Sequence, residues 1–421
     1  MMTRRHLLAA FAQPPDARLG LPRPANGDPP LEAFFAAAGT DHGSANLALR
    51  LIEQTWRPPL ASMLLDFLHL PLPPDHPTRR RLTAFLEKLT RQNFGADLPQ
   101  WLQWCWKLAY EPHPQLGEFK GLVYGNNIDA RMRDFFPPGV QSRIRLDQVQ
   151  WGGVVVNGIP PLVDPLHVAA AEAGYLKDHH VVFGIAWNGE ARAYPKRILA
   201  WHEMARDHVG GLDLAIVYCT LCGTVIPYRA QTPDRRVTLG TSGLLYESSK
   251  LMFDEETKSL WPTLEGRPAI GPLWNSPMQL ELAPVVTTTW GEWRQQYPAT
   301  QVLSLETGHR RDYGEGAAYR DYFATDQLMF SVSRLDRRLK RKDEVLVIRL
   351  PGRTPLAISA RLLAARRRFA YTHEGFALVV VTSAQGANRV YAAGDGHQQL
   401  PAHRAFWFGW YAQFPATTLL Q

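Results

Sequence analysis

The sequence predicts an α+β protein in which an N-terminal all-helical domain precedes a β-rich domain built from two duplicated, pseudo-symmetric halves. Three observations carry this. Residues 31–136 show apolar side chains three and four apart and no strand alternation. After about residue 145 the chain changes to short β-branched runs separated by turns, without the regular alternation of strands and helices that builds a parallel sheet. Finally, one segment recurs in degraded form at an offset of 163 or 164 residues.

In chain order, the first 30 residues form a Pro- and Gly-rich lead. The start, Met1 to Ala12, is charged like an export signal, but its apolar stretch falls short of the usual length of about 7 to 15 residues. The expected location is therefore cytoplasmic, with export left open. No apolar run approaches the roughly 18 residues of a membrane-spanning helix.

The helical domain spans 31–140. Sets such as Ala48-Leu51-Ile52, Met63-Leu64-Phe67-Leu68, Phe85-Leu86-Leu89 and Trp101-Trp104-Leu108 predict amphipathic helices, broken at Pro58-Pro59 and between Pro71 and Pro77. Trp101, Trp104 and Trp106 read as a packed helix face, with Cys105 a buried, inert thiol among them. This domain is also a candidate surface for a protein partner.

The first β-rich half, 145–330, reads Val181 to Trp187 as a strand, Asn188-Gly189 as a turn, Ala191 to Pro195 as a strand, Lys196 to Asp207 as a helix and Leu214 to Tyr218 as a strand. A second Asn-Gly pair, Asn157-Gly158, predicts a hairpin after Val154-Val155-Val156. An insertion from Gly240 to about Pro298, with strands around Leu244, Leu251 and Leu260, is expected to roof the active edge of this half. The second half, 331–421, repeats the order. Val345 stands for Val182, Gly352 for Gly189, Arg361 for Arg197 and Gly386 for Gly223, and an aromatic tail, Phe406 to Tyr411, closes the core.

Chemical residues do not repeat. In the same register Cys219 falls on Thr382, Cys222 on Gln385 and His202 on Arg366. A duplicated scaffold needs its apolar strands and turn glycines twice but its reactive groups once, so the site is assigned to the first half. Cys219 and Cys222 flank a turn after a strand, where two sulfurs converge. One reading is a single metal ion held by Cys219, Cys222 and His202, with Met252 as a further ligand. Copper is favoured for this soft set, with iron or zinc as alternatives. In that reading the protein is a metal-dependent oxidoreductase. Glu203, Asp254 and Tyr246 serve as catalytic residues, and Arg192, Tyr194 and Ser242 bind a small-molecule or peptide substrate.

A second reading is dithiol–disulfide exchange by Cys219 and Cys222. It lacks the helix N-terminus that usually acidifies such a thiol, because Thr224 to Tyr228 reads as a strand. A third is a non-catalytic metal carrier or interaction protein. Several classes are not supported. His202-Glu203 lacks a second histidine four residues on, no Gly-x-Ser-x-Gly frame surrounds Ser242, and no phosphate loop or dinucleotide fingerprint predicts a nucleotide cofactor. The formal charge of +7 is dispersed over the chain of 421 residues and reads as a solvated basic face, with no nucleic-acid partner expected.

Several motifs together resemble a known family: Gly189 to Pro195, Leu199-Ala200-Trp201-His202-Glu203, Tyr218 to Gly223, Ser242 to Tyr246, Leu251 to Asp254, Ser259-Leu260-Trp261, Thr289 to Trp293 and Ala405 to Trp410. They are similar to the bacterial and archaeal domain of unknown function 3179, over most of the chain after Trp151. The resemblance implies membership and brings no activity or residue role with it. Family members often look exported. They often carry Asn where this chain has Arg206 and Pro where it has Thr220, and neither departure touches the thiols or His202.

Overall fold

The computed structural model describes residues 27–232, 235–394 and 399–421. The export-signal reading of Met1 to Ala12, and the lead apart from residues 27–30, lie outside the described residues.

Six α-helices run from Leu31–Ala38 to Leu116–Asn127, followed by a 3₁₀ turn at Ala130–Phe135. Their ends follow local chemistry. Asp41 and Asp97 cap their helices by accepting the backbone N–H of Ser44 at 2.7 Å and of Gln100 at 2.9 Å. Pro77 opens the helix Pro77–Thr90 at a position that needs no amide hydrogen. The helical region does not keep its core to itself. Trp101, Phe119 and Tyr124 share one apolar cluster with Val149, Leu244, Phe253 and Ile270 of the β-rich region. A buried ion pair, Lys120 to Asp66 at 2.7 Å, reinforces the join, since the same ammonium also donates to the carbonyl of Val149. The tryptophans form a packed helix face as expected, and burial pushes the Cys105 thiol far above its ordinary range.

Beyond the helices stand five small sheets of four or five strands in a propeller-like arrangement. In one, Val181–Trp187 pairs antiparallel with Val286–Thr289 and with Glu190–Pro195, which in turn pairs parallel with Gln301–Leu303. In another, Glu344–Ile348 pairs antiparallel with Ala402–Phe406 and with Leu356–Ser359, which pairs parallel with Thr418–Leu420. Two antiparallel meanders accompany them. One comprises Met204–Val209, Leu212–Cys219 and Thr224–Arg229, and the other Arg368–His373, Phe376–Thr382 and Asn388–Ala392.

Three local expectations are corrected. The helix predicted to reach Asp207 ends at His202, because Glu203 adopts a left-handed conformation (φ 54°) that turns the chain into the strand Met204–Val209. Asn188-Gly189 makes the expected hairpin turn with both φ positive, whereas Asn157-Gly158 makes a turn without a hairpin. There the Asn157 carboxamide caps a neighbouring strand by accepting the Thr241 amide at 3.0 Å. The insertion is also shorter than predicted, since Val286–Thr289 belongs to the sheet of Val181–Trp187. The remainder, Leu239–Tyr246, Ser249–Asp254 and Leu260–Pro262, joins Val149–Trp151 in a separate sheet.

The C-terminal segment seats directly on the cysteine turn: the Phe406 amide donates to the Cys222 carbonyl at 2.7 Å. Gly223 has φ +60°, and a Cβ there would come within 2.8 Å of the Phe406 ring. Gly223→Ala is therefore expected to cost about 1–3 kcal/mol from backbone strain and overpacking, read as a lowered midpoint in urea unfolding. An unchanged midpoint would show that the ring yields freely.

Candidate functional site: a sealed dithiol beside a buried ion pair

The strand Leu212–Cys219 pairs with Thr224–Arg229 so that Cys219 lies opposite Thr224, and the four residues between them form the hairpin loop. This loop brings the two sulfurs to 2.9 Å, both as free thiols. Cys219 is 2% exposed and Cys222 is wholly buried. Tyr322, Val332, Phe406 and Phe408 pack around them, and a Cβ built on Gly409 of the final helix would stand 3.5 Å from the Cys222 sulfur, an ordinary contact.

The chain turn at Glu203 and the hairpin turn Glu247-Ser248 deliver a carboxylate and an ammonium to the same place. Lys250 Nζ contacts Glu203 Oε2 at 2.8 Å, and both side chains are buried. The ammonium also donates to the Glu203 carbonyl at 2.9 Å. Glu203 Oε1 accepts from the Thr220 hydroxyl at 2.7 Å and from the Tyr319 hydroxyl at 3.0 Å. Tyr322 ties the same overlying segment to the loop through a 2.7 Å bond to the Leu221 carbonyl.

The two thiols are driven apart electrostatically. Burial pushes Cys219 up and Glu203 adds to that push. The hydrogen bond from Cys222, the Lys250 backbone amide and the Lys250 charge outweigh both, so the Cys219 thiol lies below its ordinary range. Burial raises Cys222, and its hydrogen bond to Cys219 and the charge that Cys219 carries raise it further.

His202 does not join this group. Its Nδ1 faces the Pro160 carbonyl at 2.9 Å and its Nε2 the Tyr313 hydroxyl at 2.6 Å. Burial lowers its pKa to about 4, which keeps the ring neutral. The physical reason is where the helix ends: His202 is its last residue, and the left-handed turn at Glu203 separates the directions of the two side chains. Glu203, one residue on, faces the thiols instead. Met252 is buried in a different core, with Trp261 and Met204. Among the described residues, no three His, Cys, Asp or Glu side chains converge as a metal-ligand set. The predicted Cys219, Cys222, His202 and Met252 centre is thus not assembled.

The other predicted site residues have structural partners. Tyr194 and Arg192 bind the buried Asp207 carboxylate, at 2.6 Å and 3.2 Å, and His167 Nε2 lies 3.1 Å from it. These partners hold Asp207 below the usual carboxylate range against the upward push of burial. Ser242 donates to the Leu251 carbonyl at 2.6 Å. Asp254 accepts from the Thr257 amide and hydroxyl and from the Trp261 indole, which closes a hairpin. Tyr246 pairs with Val149 and packs against the helical core, and burial raises its hydroxyl. Of the predicted catalytic and substrate-binding residues, Glu203 alone stands at the thiols.

Sequence reasoning missed Lys250, Thr220, Tyr319 and Tyr322. Lys250 carries a signal in hindsight, as the one charge in the run Ser248 to Phe253. The tyrosines sit at the start of the short helix Arg320–Ala324, and their partners lie about a hundred residues away.

The motifs around this turn are those of a family. A model described as "Protein of unknown function (DUF3179)" matches residues 156–417. The chain belongs to that family. No curated protein and no solved structure matches it. The matched range contains Glu203, Lys250 and both thiols, and leaves the six α-helices outside. Thr220, inside the matched range, supplies a hydroxyl that this chain uses to bind Glu203.

Proposed function

We propose that the protein is a thiol–disulfide redox protein whose working pair is Cys219 and Cys222. The observation that carries this reading is the 2.9 Å approach of two free sulfurs whose acidities are split, with an ammonium beside the more acidic one. Exchange needs a thiolate to attack and a second thiol to resolve, and an acidified Cys219 beside a protonated Cys222 is that division of labour. In the step proposed, the Cys219 thiolate attacks a substrate disulfide and releases one substrate thiolate. Cys222 then gives its proton to Glu203 and attacks the Cys219 sulfur, which frees the second substrate thiolate. Two electrons pass to the substrate, and a Cys219–Cys222 disulfide remains. Access requires the segment of Tyr319 and Tyr322 to lift from the turn.

We further infer that the β-rich region is two related halves. The recurrence of strand, strand, helix and three-strand meander supports this, as does the matching pattern of antiparallel and parallel partners around Val181–Trp187 and Glu344–Ile348. In that register only the first half carries thiols.

Equilibrating the folded protein in buffers of graded oxidised and reduced dithiothreitol, then trapping with acid and alkylation, tests the redox reading by mass. The pair is expected to interconvert with loss of two hydrogens, while Cys105 stays unmodified until the chain unfolds. A pair that stays reduced in every buffer would sink the proposal. Copper, iron or zinc bound stoichiometrically and lost in a Cys219→Ser, Cys222→Ser variant would favour the metal reading instead.

A further inference from the structure

A second concave site lies on the far side of the cysteine turn, where the sheets of Val181–Trp187 and Glu344–Ile348 face each other. It consists of two cavities of about 120 and 220 Å³ that share Glu344 and Arg404. Lys196 lines the first and Arg367 the second. The charges in this groove do not cancel. Arg404 contacts Glu344 at 3.2 Å and donates to Asn388 at 3.1 Å, so that pair is internally matched. Neither the Lys196 ammonium nor the Arg367 guanidinium has a hydrogen-bond or ion-pair partner among the described residues. Lys196 Nζ lies 4.5 Å over the Phe323 ring.

Glu344 and Glu315 act on Lys196 only from beyond ion-pair distance and Glu344 is already paired with Arg404, so three cations, Lys196, Arg367 and Arg404, face one carboxylate in the lining of the groove. Burial lowers the Lys196 pKa, with Glu344 acting in the opposite direction. Thr287 and Thr289 supply neutral donors. They alternate with the buried Thr288 along their strand and sit opposite Phe183 and Val181, so their hydroxyls share the cleft-facing side. In the repeat register Arg367 stands at the position of Glu203, and Thr382 and Ser383 stand at those of Cys219 and Thr220. The second half therefore presents an open, cationic pocket where the first half presents a sealed dithiol.

We infer that this groove binds a small anion with an acidic group at each end, one on Lys196 and the other on Arg367. The inference holds whether or not the dithiol is redox-active, because neither cation touches the sulfurs.

Calorimetric titration of the full chain with succinate, pyrophosphate and the neutral analogue succinamide tests it. Saturable binding of at least one anion at one site per chain is expected, with none of succinamide. Preference between succinate and pyrophosphate tells carboxylate from phosphate ligands. Lys196→Met and Arg367→Ala are each expected to weaken binding about 10-fold or more. Should Lys196→Met fail to fold, the same anion must protect Lys196 of the wild type from acetic anhydride, read by peptide mass. No binding of either anion, or binding that Arg367→Ala leaves unchanged without protection of Lys196, overturns the inference.

Discussion

Lys250→Met is expected to destabilise the protein by about 3–5 kcal/mol, because it leaves the Glu203 carboxylate buried without its cation. Methionine fills much of the same volume, so the loss reports charge and hydrogen bonding more than packing. The Thr220 and Tyr319 hydroxyls would still bond Glu203, but neither neutralises it. Pairing the change with Glu203→Gln should recover a large share, since the double variant buries no uncompensated charge. Urea unfolding of the wild type, both single variants and the double variant closes the cycle, and strictly additive losses would mean that the two groups do not interact. The same substitution should raise the Cys219 thiol, which loses an adjacent positive charge while Glu203 keeps its negative one. Thiolate absorbance near 240 nm, followed against pH in a Cys222→Ser background, reads that shift. An unmoved titration would remove Lys250 from the account of the acidified thiol.

The scaffold was legible where a local pattern meets a local rule. Asn188-Gly189 between apolar runs fixes its hairpin because both residues accept positive φ, and Cys219 and Cys222 converge because a strand enters and leaves the four-residue loop. Glu203 was less secure, since helix-compatible residues continue past it as far as Asp207. A non-glycine residue in the left-handed region leaves no trace in the sequence, yet this one backbone turn decides that Glu203 meets the thiols and His202 does not. Lys250 arrives from another sheet and Tyr319 from a segment without regular structure, so no spacing rule reaches either. The predicted ligand set went astray for the same reason. Its members are near one another in sequence, or plausible by type, but His202 and Met252 each end in a separate environment.

The stability of the fold is expected to fall as the medium is acidified through the range in which an unfolded histidine takes up a proton, with His403 a principal cause. Its ring is buried against Trp410 and shares a hydrogen bond of 2.7 Å between Nδ1 and the Thr224 hydroxyl, while Nε2 has no hydrogen-bond partner among the described residues. Burial, assisted by the Arg349 charge, lowers its pKa to about 3, whereas an unfolded histidine titrates near 6.5. Below about pH 6.5 the unfolded chain therefore binds a proton that the folded chain refuses. The native state has its full advantage above that pH and loses it at up to about 1.4 kcal/mol per pH unit towards the folded value, or about 2 kcal/mol by pH 5. His202, also held neutral by burial, acts with the same sign, so a His202→Gln variant serves as the control. Urea midpoints between about pH 7.5 and 5 should fall less steeply in His403→Gln, whose side-chain oxygen can still accept from Thr224, by close to one proton's worth of slope. A His403→Gln slope equal to that of the wild type would show that the ring is protonated in the folded state, and that the wall joining Thr224 to the final helix is open to water.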